Sequence, residues 1–383
     1  MRRNSEMTED IAIVGGGPAG AYLGYLLGQR GINAAIYDDS HPREKPCGGG
    51  ITPSAREKFP LLREIPSSYR YVDKILFISP EGKEAMVGGQ TLMNVSREHL
   101  DGYLLHQAVD AGAQLVEERV TGVVEEANTW RIRTEKGEYR SRLIVGADGV
   151  NSVVRDSTVG RISRDDIGAC IGYFARDVER DYNVMRFFKG FQGYAWIFPR
   201  ETHSSIGVGL DIKQAKNLKG YLDGFIDEYC PGIEKISPYG ALIPAARHPG
   251  FYKLPCAGAN WVLIGDAAGH VDPILGEGIR YALWDAELAA EAIIDGKPKR
   301  FDSLWRQACY QDFVEACRLR EFVYDPGMLE RGVDLISRSE TFAGIMMGIV
   351  AGTQSYSGLW GRVINSLPRM IAEAKQDRAP GKG

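Results

Sequence analysis

The chain has 383 residues, a formal net charge of -4 and a hydrophobic content of 44%. This length exceeds what one hydrophobic core usually serves, so we expect two interleaved domains, and the modest charge removes the electrostatic argument for a nucleic-acid partner. The six cysteines show no CxxC or zinc-like spacing, and no signal peptide precedes the first predicted strand. Together these features favour a reducing, cytoplasmic setting.

The first predicted elements are a strand, a glycine-rich turn, a helix and a second strand. Residues 11–14 are apolar, residues 15–20 are rich in glycine, and residues 21–30 have helical composition before a glycine ends the helix. Residues 33–37 then predict the second strand. This order is typical of a βαβ unit that binds a dinucleotide.

The next part of the chain predicts further strands around one helix. A glycine-rich segment at 47–50 is followed by turn-rich and mixed residues to about position 90. Residues 95–111 predict a helix with Leu100, Leu104, Leu105 and Ala108 on one face. Four strands are then expected, at residues 115–118, 122–126, 129–134 and 139–145.

The second half predicts a sheet followed by helices. Residues 168–212 alternate between apolar and polar types, the period of an antiparallel sheet with one covered face. A strand at 261–264 and a helix at 281–294 follow, and residues 301–376 are mainly helical. The apolar segment 342–356 is too short to cross a bilayer, so we expect a packed core helix or a lid that faces lipid or substrate.

These elements predict an α/β protein with a Rossmann-like dinucleotide-binding domain, an inserted antiparallel-sheet domain and a helical C-terminal region. The expected boundaries are 8–50, 95–165 and 255–300 for the first domain, 51–94 and 166–254 for the second, 301–376 for the helical region and 377–383 for a disordered tail.

The turn at residues 15–20, GGGPAG, fits the GxGxxG fingerprint. Gly15 permits the tight turn, Gly17 lets the backbone approach a pyrophosphate, and Gly20 allows close packing of helix on strand. Asp38 ends the second strand, where a carboxylate accepts hydrogen bonds from a ribose and repels a 2′-phosphate. The fingerprint alone leaves NAD and FAD open, and a turn that binds nothing is the structural alternative.

Two later motifs resemble signatures of the para-hydroxybenzoate hydroxylase-like flavoproteins. Residues 146–155, GADGVNSVVR, are similar to GADGxxSxVR, and residues 265–273, GDAAGHVDP, are similar to GDAAHxxxP. The resemblance implies an FAD cofactor, with Asp266 at the ribityl chain. It also implies that Arg97 lies near the FAD pyrophosphate, although an arginine in a first helical turn can equally lie on the surface.

Three segments further resemble the geranylgeranyl reductases: PCGGG at 46–50, YAWIFP at 194–199 and GEGI at 276–279. Phe191 departs from the proline that opens the family's substrate motif. The resemblance implies an FAD-dependent reductase that saturates double bonds of an isoprenoid chain on a lipid, diphosphate or quinone, with hydride from the reduced flavin. It implies NAD(P)H or a reduced carrier protein such as ferredoxin as electron donor. A lipid substrate would need peripheral contact at the inner face of the membrane, near Met346 and Met347.

On this resemblance we expect catalytic roles for Cys47, Tyr194, Trp196 and Glu277. The expected cofactor-binding residues are Gly15, Gly17, Ala19, Gly20, Asp38, Cys47, Gly49, Arg97, Val120, Asp148, Asp266, Gly278 and Ile279. Tyr194, Trp196 and Phe198 share one strand face and could wall an apolar tunnel or be ordinary core residues. Cys47 could act in redox chemistry, donate a proton or be structural, and Glu277 could lie near the reacting centre or stabilise its loop.

Two other functions remain open from the sequence. A flavin-dependent monooxygenase or halogenase of the same fold is the first, because YAWIFP is similar to the halogenase motif WxWxIP, although Tyr194 replaces its first tryptophan. A non-catalytic flavin-binding or assembly protein is the second. The six histidines show no metal-binding spacing, so we expect no metal.

Overall fold

A computed structural model describes residues 8–66, 68–209 and 216–376. Among these residues it has the strands β1 (Thr8–Val14), β2 (Ala35–Tyr37), β3 (Gly50–Ile51), β4 (Tyr69–Ile78), β5 (Glu84–Val95), β6 (Gln114–Val116), β7 (Val120–Glu126), β8 (Thr129–Thr134), β9 (Glu138–Gly146), β10 (Ile167–Arg176), β11 (Asn183–Phe187), β12 (Tyr194–Pro199), β13 (Ser204–Gly209), β14 (Glu234–Pro244) and β15 (Trp261–Leu263).

The same residues form the helices α1 (Pro18–Gly28), α2 (Pro53–Lys58), α3 (Arg97–Asp110), α4 (Val153–Thr158), α5 (Leu218–Tyr229), α6 (Ile279–Ile294), α7 (Arg300–Trp305), α8 (Gln311–Val323), α9 (Pro326–Arg338), α10 (Glu340–Val350) and α11 (Leu359–Gln376). A single π turn, Arg306–Tyr310, joins α7 to α8.

The described strands form two sheets. The first has the order β6-β2-β1-β9-β8-β7, and β15 also pairs with β9. In it β1 runs parallel to β2 and β9, whereas β8 is antiparallel to both of its neighbours. The second has the order β14-β10-β13-β12-β11-β4-β5-β3, and its pair of β11 with β4 is parallel. The predicted fold class, α/β with a Rossmann-like sheet and an antiparallel sheet, is confirmed.

The chain divides into two compact units. The first contains the described residues up to Lys45, Arg97–Asp166 and Ile243–Gln311; the second contains Pro46–Ser96, Ile167–Leu242 and the described residues from Asp312 onward. This division differs from the expected one in two respects. Residues 46–50 belong to the second unit, because β3 pairs with β5. The helical C-terminal residues do not form a separate region, since α9 and α10 both pack against β5.

The core of the first unit forms around β1, which is apolar along residues 11–14 because both of its faces are covered. Helix α1 packs against α3 and α6. The predicted face of α3 is buried in full, at Leu100, Leu104, Leu105 and Ala108. The helix itself begins at Arg97 rather than at residue 95, because Val95 still belongs to β5.

The core of the second unit lies between its sheet and α5. On β12, Ala195 and Ile197 belong to this core, and Leu222 and Phe225 of α5 pack in the same cluster. Because strand side chains alternate, Tyr194, Trp196 and Phe198 point to the opposite face of the sheet. The aromatic residues of β12 are therefore outside the core that α5 covers.

Two expectations for the second unit were wrong in detail. The segment that follows residue 50 and runs to about residue 90 was expected to be turn-rich, but it includes most of the long β4–β5 hairpin. An irregular register between Val72 and Lys74 breaks the alternation of side chains along β4. Met347 on α10 is buried, so it does not offer an exposed apolar contact. The described helices include none long and apolar enough to span a membrane. The predicted tail, 377–383, lies outside the described residues.

Candidate functional site

The glycine turn of the first unit is held by close backbone contacts. Gly15 has φ +105° and donates its N–H to the carbonyl oxygen of Tyr37 at 2.9 Å. A β-carbon on Gly20 would lie 1.9 Å from the Gly15 carbonyl oxygen, and one on Gly15 would lie 2.3 Å from that of Ala147. Only glycine fits either position, as the fingerprint predicts.

The turn leaves open space at the start of α1. Gly17 is the N-cap residue, and among the described residues no side chain caps the helix there. A β-carbon on Gly17 would have no described neighbour closer than 3.8 Å, the ring of His41. The N–H groups of this first turn, which includes Ala19, carry the positive end of the helix dipole, so an anion such as a diphosphate fits the space.

Asp38 at the end of β2 is bound to the turn itself. Its Oδ2 accepts a hydrogen bond from the N–H of Gly16 at 2.7 Å, and its Oδ1 accepts one from the N–H of Ser40 at 2.7 Å. His41 Nδ1 lies 2.8 Å from Oδ2. Burial raises the pKa of this carboxyl, but the bonds and charge of His41 and the two N–H donors outweigh it and lower the pKa overall.

Arg97 forms an ion pair inside α3. Its Nε and Nη2 atoms each lie 2.8 Å from an oxygen of Asp101, one turn further along the helix. Both side chains are buried, so Arg97 is not the surface arginine that was the alternative. Burial raises the pKa of Asp101, but the charges and hydrogen bonds of Arg97 and His41 lower it overall.

The GADG motif follows β9 and starts α4. Asp148 Oδ2 accepts a hydrogen bond from the N–H of Val153 at 2.7 Å, and Ser152 caps the helix. Asp148 Oδ1 is buried and has no hydrogen-bond partner among the described residues, and burial raises the pKa of the group. An unpartnered acceptor here fits a ligand hydroxyl, as found on a ribose or a ribityl chain.

The GDAAG motif lies next to the start of α6. Gly265 has φ +59° and donates its N–H to Asp285 Oδ2 at 2.8 Å. Asp266 lies 3.7 Å from Lys45, and a β-carbon on Gly278 would lie 3.4 Å from Asp266 Oδ1. Asp266 therefore lies beside the N-terminus of α6, which begins at Ile279. A polar ligand group at this position could contact both.

Glu277 caps the same helix. Its Oε1 accepts a hydrogen bond from the N–H of Arg280 at 2.7 Å, and its Oε2 lies 3.6 Å from the Arg280 guanidinium. Burial raises the pKa of Glu277, and Arg280 opposes this rise. These contacts hold Glu277 at the start of α6. Val120, a further expected cofactor residue, is the buried first residue of β7.

Two residues that the sequence did not single out support the GDAAG motif. His270 Nδ1 lies 2.7 Å from Asp285 Oδ2, and its ring stacks on Trp305 with 3.9 Å between centroids. Asp285 thus joins His270 to the Gly265 backbone. Its pKa is raised by burial despite the histidine. In the sequence, the position of His270 directly after GDAAG was the only signal for this supporting role.

In the second unit, the aromatic side chains of β12 are fixed by contacts across the sheet. Trp196 donates its Nε1–H to Ser205 Oγ at 3.2 Å. A β-carbon on Gly207, its partner on β13, would lie 2.3 Å from the indole. Tyr194 lies beside Trp196, with 6.0 Å between ring centroids. Glycine is needed at position 207 because a side chain there would overlap the indole.

Tyr239 on β14 reaches the same face, and sequence reasoning missed it. Its hydroxyl donates to the Ile206 carbonyl oxygen at 2.9 Å and is 2.9 Å from Ser205 Oγ. A β-carbon on Gly172 would lie 2.3 Å from the Tyr239 ring. Burial raises the pKa of Tyr239 above its usual value. Its strand, EKISPYGALIP, contains no motif that would identify it.

The PCGGG loop packs on the last aromatic of β12. β-Carbons on Gly48 and Gly50 would lie 2.5 and 3.2 Å from the Phe198 ring, so these glycines admit Phe198 closely. Gly49 has φ +77°. Cys47 is a half-buried free cysteine whose Sγ accepts a hydrogen bond from the N–H of Gly49 at 3.3 Å.

Arg200, also missed from the sequence, holds this loop. The buried guanidinium donates to the Cys47 carbonyl oxygen at 2.7 Å and to that of Gly48 at 3.3 Å. It also lies over the Phe174 ring at 5.4 Å. Residues 47 and 200 are too far apart in sequence for any spacing rule to pair them. Among the described residues, no cluster of three or more metal-binding side chains occurs.

Comparison with known proteins identifies similar families and relatives. A model of the geranylgeranyl reductase catalytic domain matches residues 166–242. A geranylgeranyl diphosphate reductase from Rhodobacter capsulatus is 32% identical over 326 residues, which cover 76% of this chain and 78% of that protein. A digeranylgeranylglycerophospholipid reductase from Methanocaldococcus jannaschii is 28% identical over 344 residues, which cover 82% of this chain and 86% of that protein.

A solved structure shows the same fold. The geranylgeranyl bacteriochlorophyll reductase-like protein from Thermoplasma acidophilum aligns with a TM-score of 0.77 at 21% identity, covering 96% of this chain and 99% of that one. The matched catalytic-domain residues include β12 and β13, and thus Tyr194, Trp196 and Gly207, the glycine that accommodates the indole.

Proposed function

The chain belongs to the geranylgeranyl reductase family of flavin-dependent oxidoreductases, and we propose that it saturates carbon–carbon double bonds of an isoprenoid chain carried on a lipid, diphosphate or quinone. The observation that carries this proposal is the row Tyr194, Trp196 and Phe198 on the sheet face opposite the α5 core. Apolar, rigid rings suit an apolar prenyl chain, which offers no group for hydrogen bonding.

The cofactor is FAD, and in its reduced form it supplies the hydride. The uncapped start of α1 at Gly17 is proposed to hold the diphosphate, and Asp38 the ribose of the adenosine half. The unpartnered Oδ1 of Asp148 and the carboxylate of Asp266 are proposed to bind hydroxyl groups. Gly278, the N-cap residue of α6, has no side chain and so leaves space beside Asp266.

Reduction of an alkene also needs a proton at the second carbon. We assign this proton to the Cys47 thiol, which then regains it from solvent. Cys47 is free and half-buried, and Arg200 fixes the backbone that carries it. Glu277 positions the GEG loop through Arg280 and is not assigned a proton transfer.

The electrons come from NAD(P)H or from a reduced carrier protein such as ferredoxin. The sequence contains one GxGxxG turn, at residues 15–20, and this turn is assigned to FAD. A second resident nucleotide is therefore not part of the proposal, and the donor binds transiently.

We further propose that α11 contacts a lipid surface, where a lipid-borne chain would be taken up. Its outer face carries Trp360, Ile364, Leu367 and Ile371, which are 47%, 58%, 42% and 53% exposed. These residues are four, three and four positions apart, so they form one stripe along the helix. Phe322 lies against Trp360 with 4.9 Å between ring centroids.

Vesicle binding tests this contact. Ile364→Glu should reduce co-sedimentation with phosphatidylglycerol vesicles by about tenfold or more, because a charge on the stripe opposes burial among lipids. Val124→Glu is the matched control, since Val124 is 50% exposed on β7 of the other unit. Equal sedimentation of Ile364→Glu and the control would exclude α11 as the contact.

The reductase activity is tested by supplying the reduced protein, without oxygen, with geranylgeranyl diphosphate or with a digeranylgeranyl glycerophospholipid. Saturation of either substrate supports the proposal, and the preferred one identifies the head group. Oxygenated or halogenated products formed only in air would support the monooxygenase alternative instead. Cys47→Ala should retain FAD and lose most of its turnover; an unchanged rate would exclude the proton-donor role.

A further inference from the structure

The loop after β2 places a histidine between two buried carboxylates. His41 Nδ1 lies 2.8 Å from Asp38 Oδ2, and its Nε2 lies 3.3 Å from Asp101 Oδ2. Arg97 binds both carboxylate oxygens of Asp101, and its Nη2 shares Oδ2 with His41. The side chains of His41, Asp38, Asp101 and Arg97 are only 9%, 7%, 0% and 5% exposed. The four residues form one buried cluster, the His41 cluster, within the first unit.

The charges of the His41 cluster balance only when the histidine is protonated. With a neutral imidazole, two carboxylates would face one guanidinium, and an uncompensated buried charge is unfavourable. Burial lowers the pKa of His41, but the hydrogen bonds and charges of Asp101 and Asp38 outweigh it and raise the pKa above its usual value. Glu44 accepts the backbone N–H of Arg97 and adds another negative charge near the cluster.

The imidazole also borders the space in front of the glycine turn. A β-carbon on Gly17 would lie 3.8 Å from His41 Nε2 and 3.9 Å from its Cε1. In a GxGxxG turn, this side of the second glycine is where the backbone approaches a pyrophosphate. His41 therefore stands at the start of α1, where the helix dipole already favours an anion.

We propose that His41 is a positioning residue of the FAD site, which in its protonated form fixes the Asp38 carboxylate and presents a positive charge to the diphosphate. The proposal rests on the assignment of FAD to this turn. It predicts a linkage: the negative diphosphate favours the imidazolium, so FAD binds more weakly as pH rises and His41 loses its proton.

The test is titration of the apoprotein with FAD, followed by flavin fluorescence, between about pH 6 and pH 9. The parent should lose affinity about tenfold over this range, which corresponds to a shift of one pKa unit on binding. His41→Gln should bind less tightly at the low end and show a flat profile. His106→Gln is the matched control, because His106 pairs with Asp110 on the exposed side of α3, and it should follow the parent.

A parental Kd that stays constant with pH would overturn the proposal, and so would a His41→Gln profile with the parental slope. The parental curve decides the question even if His41→Gln does not fold. A protein that binds no FAD at any pH would instead refute the cofactor assignment itself, so the two failures are distinguishable.

Discussion

The indole N–H of Trp196 on β12 donates a hydrogen bond to the hydroxyl of Ser205 on β13, at 3.2 Å. Ser205 is in turn bound to the Tyr239 hydroxyl, which donates to the Ile206 carbonyl oxygen. The indole is thus held in one orientation by neighbouring strands, on the sheet face away from α5. Such a fixed ring suits a wall that positions one double bond of a flexible chain.

Replacing Trp196 tests this role. Trp196→Phe keeps an apolar ring but removes the hydrogen bond, so we expect FAD content to stay normal while turnover falls about tenfold to a hundredfold or the reduced bond changes. Trp196→Ala should have a larger effect and destabilise the fold by about 3–5 kcal/mol. Flavin absorbance measures the FAD content, and product analysis measures turnover and identifies the reduced bond. Parental turnover and regiochemistry in both variants would show that the indole does not contact substrate.

Gly17→Val should abolish retention of FAD. The branched side chain would fill the space in front of α1 and keep the backbone from the diphosphate. Gly122→Val on β7 is the control, because a β-carbon there meets no described atom within 4 Å. The measurement is the flavin content of each purified protein. Parental flavin content in Gly17→Val would mean that the diphosphate lies elsewhere.

Gly48→Ala should destabilise the second unit by about 1–3 kcal/mol, because its new methyl group would lie 2.5 Å from the Phe198 ring. Phe198→Leu in the same chain should recover part of this loss, since the smaller side chain leaves room. Urea unfolding of the parent, both single variants and the double variant gives the coupling free energy. Strict additivity of the two changes would contradict the described contact.

The rate of alkylation should distinguish Cys47 from the buried cysteines. Burial raises the pKa of the Cys230 thiol to about 11, and burial together with Asp302 raises that of Cys256 well above its usual value. Neither thiol forms much thiolate at about pH 8, whereas Cys47 is half-buried and more accessible. Peptide mass spectrometry after brief iodoacetamide treatment should therefore find Cys47 modified before Cys230 and Cys256. Faster labelling of Cys256 would contradict the described burial.

The features that the sequence revealed are those encoded over short distances. The turn from Gly15 to Gly20 and the α3 face at Leu100 and Leu104 follow from spacing within one element, because the period of a strand or helix determines which residues share a face. The GADG and GDAAG motifs were recognised in the same way, as local patterns that resemble known flavoproteins.

The features that the sequence did not reveal depend on residues brought together by folding. Arg200 contacts Cys47 across more than 150 positions, and Tyr239 reaches Ser205 from another strand. The β4–β5 hairpin was missed because its register shifts between Val72 and Lys74, which breaks the period of two. Met347 and the exposed Ile364 are both apolar, and only tertiary packing decides which of them is buried.

The measurement that tests the central claim most directly is the mass of an isoprenoid substrate after a single anaerobic turnover with the reduced protein. We predict a gain of two hydrogens for each saturated double bond, with one flavin oxidised for each bond and no oxygen incorporated. A substrate of unchanged mass beside a reduced flavin that persists until oxygen is admitted, followed by oxygen in the product, would contradict it.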